Sequence, residues 1–224
     1  MKAREKFIIF IILFIVISTG VIIVAKINIR KLDYNEYIKT SLYYLLPEKE
    51  YKNMYELKDK EIHNSIDNLE EMLLNTEAIL IITPIENPTF IGTGIINDCK
   101  IEKVIKGSGF KKNQKIQIYE LAAWWKMSDT AYLDGNTPLA KSDRYIVFIK
   151  RAPRPNKKDT YIYSSIPYGH IKISDTIDVF ENYDESPITI KKAMDYQFIF
   201  AEDTNHDLIN LYKENCLNLI KKYK

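Results

Sequence analysis

AILIITP at residues 78–84, KIQIYEL at 115–121 and RYIVFIK at 144–150 decide the fold. The first is a short β-branched run, the second alternates apolar and polar residues with period two, and the third is nearly all apolar. Each is strand length rather than helix length. Between the first two, residues 90–105 form a longer strand, with Gly92 and Gly94 near its start and Cys99 and Ile101 on one face. Lys106-Gly107-Ser108-Gly109 turns the chain. Residues 161–173 (YIYSSIPYGHIKI) supply a fifth strand, broken or bulged near Pro167 and Gly169. Five strands with no helix between them predict an antiparallel meander or a closed barrel within an α+β domain.

Outward from this block the pattern becomes helical. On the C-terminal side Ile209, Tyr212, Cys216, Leu219 and Tyr223 make a stripe at helix spacing, widened by Leu208 and Leu211, so a packed helix is expected. On the N-terminal side residues 33–75 read as helical. Tyr34, Tyr37, Ile38, Leu42 and Leu45 recur at helix spacing up to Pro47, and Tyr55, Ile62, Ile66, Leu69 and Leu73 follow with one apolar face. Further out, Phe7 to Ala25 holds nineteen residues without a charge. At about 1.5 Å per residue that is roughly 28 Å of helix, close to the hydrocarbon thickness of a bilayer. The run is longer than the apolar part of a secretory signal, and Ile23 and Ala25 make a poor cleavage site, which favours a retained anchor. The expected organisation is a cytoplasmic tail, transmembrane anchor and flank (1–31), a helical segment (32–77) and a barrel domain with its C-terminal helix (78–224). The basic residues on the two sides of the apolar run tie. The very short N-terminal tail then places residues 32–224 outside the cytoplasm.

The chain has 224 residues, 46% apolar and 28% charged, with seven Gly and eight Pro, which excludes a disordered tail or a collagen-like fibre. The formal net charge is +2, yet residues 1–31 hold six Lys/Arg against one Glu. The remaining 193 residues therefore carry three more acids than bases, which argues against a general nucleic-acid binder.

The order of the strand block, from the Ile-rich first strand through IEKVIKG (101–107) and KIQIYEL to PLAKSDRYIVFIK (138–150), resembles a known module. It is similar to the small OB-like barrel of tissue inhibitors of metalloproteinases and netrin-type modules, and to membrane-anchored bacterial proteins with the same run, over residues 78–173. The resemblance implies the barrel. The animal inhibitors present an N-terminal Cys-rich ridge to a zinc ion; no Cys stands near the barrel start here, so no functional residue carries over.

Cys99 and Cys216, the only cysteines, are either an extracytoplasmic disulfide or two buried small apolar residues. His63, His170 and His206 are scattered without ligand spacing, so neither a metal nor a cofactor is expected. Asp203, Asn205, Asp207 and Glu214 match four positions of a calcium loop, but Leu208 stands where its turn needs Gly. They read better as a helix start with Thr204 as N-cap. Trp124 and Trp125 adjoin an insertion, residues 122–140, that also holds Tyr132; they are either a binding platform or a lid on one barrel end. Lys150, Arg151, Arg154, Lys157 and Lys158 place five cations within nine residues, a solvated loop or a contact for anionic wall polymer or lipid headgroups. No nucleophile or phosphate-binding motif is present. The expectation is a non-enzymatic, membrane-anchored extracytoplasmic binding module whose partner is an envelope protein or an anionic polymer. A cell-envelope hydrolase and a passive subunit of a membrane complex are the alternatives.

Overall fold

In a computed structural model the described residues are 33–45, 66–91, 94–125, 130–133, 135–152, 159–181, 188–200 and 204–224. All but Asp33 belong to one compact unit, Tyr34–Lys224. The chain enters through a short helix α1 (Tyr34–Tyr37) and strand β1 (Ser41–Leu45), then helix α2 (Leu69–Asn75). Strands β2 (Ala78–Pro84), β3 (Thr89–Ile91), β4 (Gly94–Lys106), β5 (Lys115–Trp125) and β6 (Thr130–Leu133) follow. After them come β7 (Tyr145–Arg151), β8 (Thr160–Tyr163), β9 (His170–Lys172) and β10 (Val179–Phe180). Helix α3 (Ile190–Ala193), strand β11 (Phe198–Ile199) and helix α4 (His206–Tyr223) complete the chain.

Five strands close on themselves. β2 pairs with β4, β4 with β5, β5 with β8, β8 with β7 and β7 with β2 again. Numbered by their order in the chain, the ring runs first, second, third, fifth, fourth, compatible with an OB-like barrel. The expectation of an all-antiparallel barrel needs correction. β5 and β8 are parallel, with Gln117 against Thr160 and Ile118 against Tyr161. A ring with an odd number of strands cannot alternate direction throughout, so one parallel pair is a geometric necessity.

The apolar runs follow from two cores on the two faces of the same strands. Ala78, Leu80 and Ile82 of β2 and Val147 and Ile149 of β7 fill the barrel with Ile101, Ile116 and Ile118. The alternate residues Ile79, Ile81, Ile146 and Phe148 form a second cluster with Met72 of α2 and Ile209, Tyr212, Cys216 and Leu219 of α4. β2 and β7 are thus covered on both faces and read as unbroken apolar runs, whereas β5 is covered on one and alternates. α4 begins at Asn205, whose side chain accepts from the Asp207 amide at 2.8 Å. The cap is Asn205 rather than Thr204, with Asp207 in the first turn; Asp203 lies outside the described residues.

Two further expectations change. Residues 41–45, read as helix, are strand β1, parallel to β6, and the Leu42 amide donates to the Ile188 carbonyl at 2.7 Å. Tertiary pairing overrides a helix-like apolar spacing when the partner strand is remote in sequence. The supposed insertion after residue 121 is in part strand: β5 continues to Trp125 and pairs with β6. Residues 1–32 and 46–65, including the apolar run 7–25, lie outside the described residues. Among the described residues no helix is long and apolar enough to cross a membrane.

Candidate functional site

The alternation that turns Ile116 and Ile118 of β5 into the barrel also turns Glu120 inward, where it is 5% exposed. Its carboxylate collects three donors. Asn97 Nδ2 of β4 donates at 2.8 Å, the Tyr163 hydroxyl of β8 donates in a short bond, and the Leu139 amide reaches it at 3.4 Å. Glu120 therefore ties β4, β5, β8 and the segment before β7 across one end of the barrel, including the parallel seam.

His170 of β9 closes the same end. Its ring lies edge-on to Tyr145 at 5.4 Å and tilted to Tyr163 at 5.3 Å. Gln197 fixes its backbone, donating to the His170 carbonyl at 2.7 Å and accepting from the Lys172 amide at 2.7 Å. Nδ1 is 3.9 Å from Glu120 Oε1, beyond hydrogen-bond reach, so desolvation prevails over the carboxylate's attraction and the pKa is pushed down to about 3. Burial, then the charge of Glu120, raises the pKa of Tyr34 of α1, which stands near this end and contacts Met194 Sδ at 3.7 Å. A general base must reach a substrate's proton within hydrogen-bond distance. Glu120 is instead spent on its own donors, and the arrangement is a polar clamp.

The clamp gives a pH dependence of known sign. The unfolded chain protonates His170 near pH 6.5, whereas the native chain resists until about pH 3. Between these values the unfolded state binds the extra proton, so stability falls as pH falls. Taking the pH from 6.5 to about 4 should cost roughly 3 kcal/mol through His170 alone. Urea midpoints measured across this range should fall steeply for the native sequence and more gently for His170→Gln. Equal slopes would assign the acid sensitivity to other groups.

Cys99 and Cys216 are unbonded and buried, Cys99 in the barrel interior and Cys216 in the outer core. Of the two readings, the pair of small apolar residues stands and the disulfide does not. Burial raises the thiol pKa of both, Cys216 to about 12. Trp124 and Trp125 are the last two residues of β5. By register Trp124 stands in a row with Ala131 and Leu42, both fully buried. Trp125 stands in the next row, with Thr130 and the exposed Ser41. Tyr132 pairs with Ala123 and Tyr44. Arg151 is exposed at the end of β7; Arg154, Lys157 and Lys158 lie outside the described residues. β7 is antiparallel to β8 and β8 parallel to β5, so Arg151 and the Trp125 end of β5 leave the barrel at opposite ends.

Glu120 is not among the residues singled out from the sequence; His170 is, as a residue that would favour the hydrolase reading if a cleft gathered it with an acid, and it lies 3.9 Å from Glu120 but 1% exposed. The register of KIQIYEL contained the signal for Glu120, because a Glu on the parity of two inward Ile must be buried. For the burial of His170 there was none, because it depends on the return of the chain past Pro167. Among the described residues no group of three or more His, Cys, Asp or Glu side chains could hold a metal ion. The chain matches no protein-family model, no curated protein and no solved structure, so the likeness to an OB-like barrel rests on the strand order alone.

Proposed function

We propose that this chain is a membrane-anchored, extracytoplasmic binding module that holds its partner on the outer face of a strand ribbon. The supporting observation is the run of β5 beyond the barrel. Its last residue paired to β4 is Leu121, and Ala122–Trp125 continue as a ribbon with β6 and β1. The barrel interior is filled with Ile, Leu, Val and Tyr side chains, so a ligand is met at the surface rather than inside. By register Trp125 stands in the row of the exposed Ser41, and Tyr132 and Tyr44 stand together in a neighbouring row. Aromatic residues on a rigid strand supply binding energy at low entropic cost. The uncharged run Phe7–Ala25 supports the anchor.

A photo-crosslinking amino acid in place of Trp125, expressed in the full chain in its native membrane, tests this. One discrete adduct is expected at position 125 and none at Leu217, an exposed residue of α4. The same weak smear at both positions would remove the ribbon from consideration. Protease added to intact cells stripped of their wall should at the same time degrade the main domain.

A further inference from the structure

We propose that the parallel seam of the barrel is a proton-gated opening, with His170 as its sensor. The seam is closed in two ways. Backbone pairing joins β5 to β8 at Gln117–Thr160 and Ile118–Tyr161, and among the described residues it goes no further. Beyond it the two sides are held by side chains, with Glu120 of β5 accepting from the Tyr163 hydroxyl of β8. His170 stands against this second closure, its Nδ1 3.9 Å from Glu120 Oε1. β9 pairs its backbone with β7, at Val147–His170, Ile146–Ile171 and Tyr145–Lys172, and Gln197 donates to the His170 carbonyl at 2.7 Å. A separation of β5 from β8 therefore carries Glu120 away. His170 stays on β7 and turns its Nδ1 to the gap.

That nitrogen makes the opening sensitive to acid. In the closed barrel the ring is 1% exposed, and Nδ1 has no hydrogen-bond partner among the described residues. Tyr145 of β7 and Tyr163 of β8 face the ring, and Glu120 of β5 is the carboxylate opposite it. Tyr34 of α1 and Cys99 of β4 feel the charge of Glu120 too. Burial first, and that charge second, raise the pKa of both, and burial raises Tyr145 likewise, so none of the three is charged near neutral pH. On the outer side Lys172 of β9 is paired with Asp143 at 2.6 Å. Burial holds the pKa of the closed-state imidazole down to about 3. In the opened seam water reaches the ring, and its ordinary value of about 6.5 applies. The open form alone then takes up the proton, so each pH unit below about 6.5 multiplies its population about tenfold. Ordinary carboxylates titrate about two units lower, which leaves the upper part of this range to the histidine.

The test is site-resolved hydrogen exchange of the full chain in detergent micelles, with each rate divided by the intrinsic rate at that pH. The Gln117 amide, which donates to the Asp159 carbonyl at 2.9 Å, reports the seam. The Ile101 amide, which donates to the Gln114 carbonyl at 3.0 Å between β4 and β5, is the reference. Gln117 should open more often than Ile101 at every pH, with little response to low urea. Its opening constant should rise about 30-fold between about pH 7.5 and 5. His170→Gln should flatten this rise to less than about twofold, whereas His206→Gln, at an exposed ring, should leave it whole. The native profile alone also decides, so the outcome does not hang on a variant that folds poorly. A profile level down to about pH 5 would assign the gate to a carboxylate and overturn the proposal. So would a rise that survives in His170→Gln. Equal opening constants for Gln117 and Ile101, steepening alike with urea, would overturn it as well, because the acid response would then belong to global unfolding.

Discussion

A chain ending at Glu202 should aggregate or be degraded instead of folding. The missing α4 buries Ile209, Tyr212, Cys216, Leu219 and Ile220. At about 1.5–3 kcal/mol for each large apolar side chain, their burial is worth roughly 8–15 kcal/mol, as much as the whole stability of an ordinary domain. The loss is compounded on the other side of the contact. Ile79, Ile81, Ile146 and Phe148 are covered by the same cluster and would face water on two adjacent strands. Exposed apolar faces of that size promote association. Soluble yield, gel filtration and circular dichroism of the truncated chain check this. A monomer that melts cooperatively would show that the barrel stands without the helix.

Glu120→Ala should cost about 3–5 kcal/mol, because it removes an acceptor and leaves its donors behind. The Tyr163 hydroxyl, the Asn97 amide and the Leu139 amide lose a buried partner together, and water cannot replace it without opening the barrel end. Glu120→Gln should cost less, since one oxygen still accepts while its amide meets the Asn97 amide donor to donor. Adding Tyr163→Phe to Glu120→Ala should recover part of the loss, because one stranded donor disappears with its hydroxyl. Urea unfolding of the four proteins reads the coupling. If the double variant loses the sum of the two single losses, the hydroxyl and the carboxylate do not act together.

Local chemistry made most of the barrel legible. Ile116 and Ile118 against Lys115 and Gln117 announce a one-sided strand, and the Ile stripe of α4 announces a covered helix. What escaped depends on partners far along the chain. β1 is a strand because β6, some ninety residues later, lies beside it, and nothing within SLYYL distinguishes that from a helical turn. Arg151 and the Trp125 end of β5 stand at opposite barrel ends because β7 runs antiparallel to β8 and β8 parallel to β5. The polar clamp needed the inward parity of Glu120 and the return of β9 at once, and only the first is written locally.

The one parallel pairing that oddness imposes on the ring also makes it the place where the barrel breathes. β4 and β5 share seven paired rows, from Gly94 against Leu121 to Lys100 against Lys115, whereas β5 and β8 share two. Fluctuations that cost less than global unfolding open a structure where it holds fewest bonds. Hydrogen exchange should therefore reach the amides along the seam before those between β4 and β5. The Tyr163–Glu120 bond reinforces those two rows, so the barrel resembles a curled sheet whose closing edge leans on one buried carboxylate beside a short backbone ladder.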